Sequence, residues 1–466
     1  MQLMTDKIHR LFSIGEIGEI LGSYSEGDPG FRHFAIYNIS TDSRTIKESE
    51  LFVALIGEKH NGHDHIDAAF VRGAAAAVVS KAEAQKRGLN GSKYFPVDDT
   101  LFAFGELARR YRAKMPARIT AVTGSNGKTT VKNLIYEIFS RLGPALKSEG
   151  NFNNLIGLPA SIFGLREEHQ NAVLELGMSA RGEISRLSEI ASPDLAIITN
   201  VGPVHLEYLK SIDAVAEAKL EIVEHLRKLA PLVINGDDEM LSLKLGKINH
   251  QVIRFGLNRE NDISPRDLEF DDQQLAGFRV ANHIFELKLP GIHNVYNALA
   301  AYAAAHALGI DTALAVDAIN SFRPQAMRSE VVQAGGVTLL IDCYNANPAS
   351  TRYALETLSR IRSSGRRIAV LGDMLELGQE SRIFHEEIGK LARTLKIDNI
   401  FGFGPNSKFT VANFGDGGFY FGEKEGLIKQ LREMLGDGDV VLFKGSRAMV
   451  LEEVVDAIKN TMNDAI

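Results

Sequence analysis

Cysteine is nearly absent: Cys343 is the only one in 466 residues. A chain with one thiol has no internal disulfide framework, and a reducing, cytoplasmic setting is expected. Positive charge is in deficit, with 52 Lys and Arg against 59 Asp and Glu and a formal net charge of −7. Such a chain has no general field for collecting nucleic acid or anionic lipid, although a local basic pocket is compatible with it. Long apolar runs are missing as well. None reaches the ~18 residues of a membrane span, and the opening MQLMTDKIHRLFSIGEIGEIL scatters charge where a signal peptide needs an apolar core. No repeat of solenoid period and no low-complexity tract is present. These absences lead us to expect no nucleic-acid partner and no membrane insertion; a monomer is the working expectation.

What is present is enough apolar material for several cores. At roughly 150 residues per domain the length predicts about three domains, and 45% of the residues are hydrophobic. Residues 1–115 read as a small α/β unit, in which 51–80 give strand, polar loop, helix and strand. Over 116–322 the strand candidates 119–123, 172–176, 194–199 and 231–235 alternate with helical stretches, the pattern of a parallel sheet covered by helices. From 323 to 466 the pattern restarts with 337–342, 366–372, 399–404 and 439–445, predicting a Rossmann-like domain. The connection SFRPQAMRS, 321–329, reads as a hinge because Pro324 interrupts any helix there. The fold class is therefore α/β in three domains.

The most informative stretch is ITAVTGSNGKTTVKNLI, 119–135. An apolar strand runs into a turn of small residues, and a helix follows. Gly124, Ser125 and Gly127 let the backbone curl so that N–H groups can face phosphate oxygens, Lys128 adds a point charge, and the Thr129 hydroxyl suits Mg²⁺. We read Thr123, Gly124, Ser125, Asn126, Gly127, Lys128, Thr129 and Thr130 as the nucleotide site. Where a standard P-loop has its first glycine, six residues before the lysine, this chain has Val122, so a variant loop of another family is expected.

Other candidates are ambiguous by themselves. Glu175 ends a strand candidate, which suits either a surface carboxylate or a ligand on the rim of an open α/β sheet. His205 follows the next strand, and Lys219 lies on the amphipathic stretch SIDAVAEAKLEIVEHL, where a solvated lysine is the ordinary reading. His293, Asn294 and Asn297 open a helix; Asn294 reads equally as a cap. Arg328 is a surface arginine beside a linker or a charge supplied to the site. Ser43, Arg44, Gly150, Asn151 and Asn154 are turn formers in any case.

Taken together, TGSNGKTT (123–130), NFNNLIGLP (151–159), ELGMSARGEI (175–184), NVGPVHLEYL (200–209) and GIHNVYNALAA (291–301) resemble the Mur ligases, which build the peptide stem of bacterial cell-wall precursors. YNANPAS (344–350), VLGDMLELG (370–378) and KGSRAM (444–449) resemble the branch of that family that adds D-alanyl-D-alanine to a UDP-muramoyl-tripeptide. The resemblance implies ATP-driven amide formation through an acyl phosphate, with an N-terminal UDP-sugar domain, a central ATPase domain and a C-terminal domain for the incoming amine. It implies Mg²⁺, two ions in the fullest form, held by Thr129, Glu175, His205 and Lys219, the last as a carbamate formed with CO₂. It implies Arg328 at the γ-phosphate, Asn294 and Asn297 at the adenine, and catalytic status for Lys128, Glu175, His205, Lys219 and Arg328. Substrate contacts are expected from Ser43 and Arg44 at the UDP-sugar, Asn151 and Asn154 at the muramoyl peptide, and Asp342, Tyr344, Asn345, Asn347 and Pro348 at the dipeptide, with Asp373 and Lys444 on neighbouring strand ends. One departure is visible: in place of the commoner Asp-Asp-Ser-Tyr, this chain has Ile341 and Cys343 at the first acid and the serine. A sister ligase taking another amine, a folylpolyglutamate-type ligase, and a nucleotide-switched scaffold binding muropeptides are the competing readings.

Overall fold

The computed structural model describes residues 9–23 and 30–464, so the first eight residues of the N-terminal segment discussed above lie outside it. The N-terminal unit holds four parallel strands in sequence order, Asn38–Ser40, Glu50–Val53, Ala74–Ser80 and Tyr94–Val97. Its helix Thr100–Lys114 starts where the Asp99 carboxylate accepts from the amides of Leu101 and Phe102.

The central sheet has six parallel strands, in the order Val252–Phe255, Leu232–Asn235, Leu195–Ile198, Arg118–Thr123, Asn171–Glu175, Ala145–Lys147. The middle strands read as unbroken apolar runs because helices cover both faces. Register aligns the strand ends: Val122 pairs with Glu175, and Thr123 with Ile198. The loops carrying the phosphate motif, Glu175 and the 199–205 segment therefore leave from one edge of the sheet.

The third unit has its strands in the order Glu330–Ala334, Val337–Ile341, Val440–Lys444, Arg367–Gly372, Asn399–Phe403, Gly418–Phe421; the first pairing is antiparallel and the rest parallel. Between the helix Thr312–Ser321 and strand Glu330–Ala334 the chain is not helical, and Met327 and Ser329 take positive φ of 62° and 52°.

The sequence reading missed the edge strands Ala145–Lys147, Val252–Phe255, Glu330–Ala334 and Gly418–Phe421, and the antiparallel ribbon Arg266–Phe270, Leu275–Val280, His283–Pro290. Edges and ribbons are solvated on one side, so their residues alternate and lack the apolar run that marks a central strand.

One apolar core runs without a break from the N-terminal unit, through Phe12, Leu51 and Phe104, into Leu158, Leu174 and Leu232 of the central unit. Arg112 reinforces that joint: buried, it donates to Ala191 O at 3.0 Å and reaches Asp194 at 3.2 Å. The third unit has its own cores on the two faces of its sheet, and its partly buried Phe384 reaches the first core. Among the described residues no helix is long and apolar enough to cross a membrane.

Candidate active site

A cleft of about 670 Å³ lies between the strand-end edge of the central sheet and the third unit. The strand Arg118–Thr123 ends in a turn that closes onto the helix Lys128–Leu142. Glycine is required at two points of this turn. Gly124 has φ 148°, and a Cβ there would sit 1.9 Å from Thr199 Oγ1; Gly127 has φ 81°, and a Cβ there would sit 2.3 Å from Asn297 Oδ1. The amides of Ser125 and Asn126 do not face the cleft as expected, because they donate to Asn200 O and Asn200 Oδ1, both at 2.9 Å. The anion cradle is shifted to the helix start. There the amides of Gly127, Lys128, Thr129 and Thr130 take no protein acceptor among the described residues, and the helix dipole adds to their pull. Lys128 folds back to donate to Gly124 O at 2.7 Å and Ser125 O at 3.3 Å. Burial lowers its pKa; Glu175 opposes that shift and Arg328 adds to it.

Glu175 is 3% exposed, and every charge near it matters. Its Oε2 accepts from Thr129 Oγ1 at 2.9 Å and lies 3.5 Å from Lys132 Nζ; its Oε1 accepts from Asn153 Nδ2 at 3.0 Å. Burial would raise its pKa, but Lys132 and Lys128, with the Asn153 bond and Arg328, hold it below the usual carboxylate range. Sequence reasoning missed Lys132 and Asn153. Lys132 follows Lys128 by four residues and so shares its helix face, but a lysine within a helix ordinarily points to water. Asn153 sits between the two asparagines that were chosen.

Lys219 lies in the last turn of the helix Ile212–Leu220 and in the cleft wall, 2% exposed. Among the described residues no carboxylate or other acceptor bonds its amine. Burial, with Lys128 as a second and smaller influence, lowers its pKa well below that of a free lysine.

The opposite wall comes from the third unit. Arg328 reaches into the field of Lys128, Lys132 and Glu175, and its guanidinium stacks 3.9 Å above the Tyr344 ring. Two of the contacts that cross between the units lie at the cleft itself. Asn347 Nδ2 donates to Asn126 Oδ1 at 2.6 Å, and His205 Nδ1 lies 2.6 Å from Glu376 Oε2. The third unit is thus closed onto the phosphate loop.

The cleft gathers Gly124 to Thr130, Asn151, Asn154, Glu175, His205, Lys219, Asn294, Asn297, Arg328, Asp342, Tyr344, Asn345, Asn347 and Lys444. Several expectations change in detail. Thr123 is fully buried at the strand end and does not line the cleft. Asn294 and Asn297 bond each other at 2.9 Å, Asn294 also donates to Pro290 O at 2.8 Å, and Asn297 Oδ1 packs close against Gly127 of the phosphate loop. Asn154 Oδ1 is taken up by the amides of Ile156 and Gly157. Asn347 spends its carbonyl on capping the helix Pro348–Arg360 through the Ser350 amide. Lys444 is 2% exposed, and its three donors go to Asp342 Oδ2, Asp342 O and Asn345 O at 2.7, 3.3 and 3.0 Å, so its ammonium is engaged by that loop. The departures Ile341 and Cys343 are buried in the apolar core, outside the cleft lining, so no cleft group is lost through them. Burial pushes the Cys343 thiol up to about 12. Ser43 and Arg44 are outside this cleft, with Arg44 exposed and paired to Asp42 at 2.8 Å.

Asp373 is the clearest correction. It is 1% exposed, and its carboxylate accepts from the amides of Asn406 and Ser407, Asn406 Nδ2 and Ser407 Oγ. It holds two loops together and touches no part of the cleft. Asp373→Ala is expected to destabilise the protein by about 3 kcal/mol in denaturant titrations, by stranding buried donors, while the kcat of the folded fraction stays within about twofold of wild type.

Among the described residues no group of three or more His, Cys, Asp or Glu side chains is arranged for a metal. The donor set still fits a hard cation at one point, where a buried, ionised Glu175 carboxylate and the Thr129 hydroxyl already meet at 2.9 Å. His205 and Lys219 line the same cleft.

Comparison with known proteins agrees with this geometry. The Mur ligase family catalytic domain matches residues 35–112, the Mur ligase middle domain 122–305, and the Mur ligase glutamate ligase domain 327–447. The UDP-N-acetylmuramoyl-tripeptide–D-alanyl-D-alanine ligase of Bacillus subtilis is 35% identical over 445 residues, covering 94% of this chain and 96% of that protein. The Escherichia coli protein of the same name is 35% identical over 434 residues, covering 90% and 93%. Among solved structures, MurF from Acinetobacter baumannii superposes with a TM-score of 0.88 at 29% identity, covering 96% of this chain and 99% of that one. MurF from Thermotoga maritima, crystallised in complex with ADP, gives 0.83 at 29% identity, with 92% and 98% covered. With a variant phosphate loop facing a third lobe across one cleft, and relatives spanning nearly its whole length, the chain belongs to the Mur ligase family.

Proposed function

We propose that the protein is an ATP-dependent carbon–nitrogen ligase that joins D-alanyl-D-alanine to a UDP-N-acetylmuramoyl-tripeptide, giving ADP, phosphate and the UDP-muramoyl-pentapeptide precursor of peptidoglycan. The observation that carries this reading is the closed cleft, where the cradle at Gly127–Thr130 and the buried Glu175 face Arg328 from the other lobe. In this reading residues 1–115 take the UDP-sugar, with Ser43 and Arg44 in contact, 116–322 take ATP, and 323–466 take the dipeptide. The enzyme works as a monomer in the cytoplasm.

The residues divide the work as follows. The free amides of the helix start and Lys128 hold the β- and γ-phosphates. A tripeptide carboxylate oxygen attacks the γ-phosphorus and ADP leaves; Arg328, held flat on Tyr344, offsets the charge that would keep these two anions apart. The dipeptide amine then attacks the acyl carbon, phosphate leaves, and the amine gives up its proton. Tyr344 and Asn345 line the side from which that amine comes. Closure through Asn126 and Asn347 excludes the water that would otherwise hydrolyse the acyl phosphate. Mg²⁺ on Thr129 and Glu175, with a second ion on His205 and carbamylated Lys219, would supply charge neutralisation between carboxylate and triphosphate. Burial without a partner favours the neutral, nucleophilic form of the Lys219 amine, and the carbamate formed with CO₂ would turn a repulsive lysine into a ligand.

The test is phosphate release and pentapeptide formation with each reactant omitted in turn. Turnover is expected only with ATP, the UDP-tripeptide and D-alanyl-D-alanine together. Equal turnover with a single amino acid as the amine would move the protein to a sister ligase, and hydrolysis without the dipeptide would make it a switch.

A further inference from the structure

Lys132 has no part in the mechanism above, yet its side chain is as inaccessible as that of Glu175, at 2% and 4% exposed. It lies one turn beyond Lys128 on the same helix, and its ammonium sits 3.5 Å from Glu175 Oε2 and 3.3 Å from Gly150 O. A buried carboxylate needs a positive partner, and here the protein has built one in. The oxygen that Lys132 faces is the one that accepts from Thr129 Oγ1. Any divalent ion bridging Thr129 and Glu175 must enter the field of that ammonium, where water is too scarce to screen two like charges.

We propose that Lys132 is a resident counter-cation: it pairs with the Glu175 carboxylate and holds the site open without metal, and it competes with the incoming ion, so that metal binds weakly until nucleotide phosphates add their charge. Lys132 is then a positioning residue that sets metal affinity. The proposal rests on the reading of Glu175 as a metal ligand, and the experiment separates the two.

Mn²⁺ is titrated into nucleotide-free, full-length protein, and the free ion is followed by electron paramagnetic resonance; no catalysis is involved. Lys132→Met should bind Mn²⁺ at least about tenfold more tightly than wild type, since an uncompensated carboxylate replaces a paired one. Lys132→Arg, which keeps the charge, should stay within about threefold. Glu175→Gln should lose the site. If Glu175→Gln binds like wild type, the metal assignment of Glu175 falls and the proposal with it. If Glu175→Gln loses the ion but Lys132→Met binds no more tightly than wild type, the assignment stands and the role of Lys132 is overturned. Should Lys132→Met fail to fold without metal, millimolar Mn²⁺ should restore its circular dichroism, while the double variant with Glu175→Gln should not need the ion. Absence of rescue by Mn²⁺ would equally overturn the proposal.

Discussion

Lys128→Ala should reduce ligation by about 10³-fold or more while the protein still unfolds cooperatively within a few degrees of wild type. The catalytic half follows from position. Lys128 opens the helix whose first amides are free, so its ammonium is the one cationic side chain within the cradle itself, and its present bonds to Gly124 O and Ser125 O hold it ready at the loop. A point charge at the transferred phosphoryl has no substitute once removed, because the closed lobe admits little water to replace it. The structural half follows from what the side chain leaves behind: two loop carbonyls at the cleft wall and no gap in the apolar core. Steady-state ligation and thermal unfolding of the same preparation check both halves. Retained turnover would remove the phosphate assignment, and collapse of the fold would show that the lysine is structural.

The second large effect is expected at Lys219. Lys219→Ala should lower kcat by about 10²-fold or more, and a short carboxylic acid such as acetate should restore part of it, because the cavity left by the side chain can admit the anion that the carbamate supplied. The argument starts from burial without a partner. The residue is 2% exposed, and burial, with Lys128 as a smaller influence, drives the pKa of its amine well below that of a free lysine, which favours the neutral form that reacts with CO₂. Labelled bicarbonate should give a carbamate carbon resonance in the wild-type protein that the variant lacks. Wild-type activity in Lys219→Ala, or loss of activity that no carboxylate relieves, would argue for a plain structural lysine.

The central strands were legible because two-sided burial writes an apolar run, and the strand candidates at 119–123 and 172–176 match Arg118–Thr123 and Asn171–Glu175 to about one residue. From there Glu175 could be found by its place at a strand end. The same rule failed at Asp373, which also ends a strand but is covered by the loop carrying Asn406 and Ser407. Strand position is local, whereas the covering loop comes from more than thirty residues away. Contacts between lobes were illegible for the same reason: nothing near Asn347 in the sequence announces Asn126, 221 positions off. Lys132 was hidden differently. A lysine inside a helix normally points to water, and only the three-dimensional placement of Glu175 makes its burial sensible.

The two outer lobes are attached in unlike ways, one by a continuous oily seam with Arg112 locked inside it, the other by a bent tether, a few aromatic contacts and some polar touches. Substitutions in the loops of this looser lobe are therefore expected to leave the welded pair undisturbed.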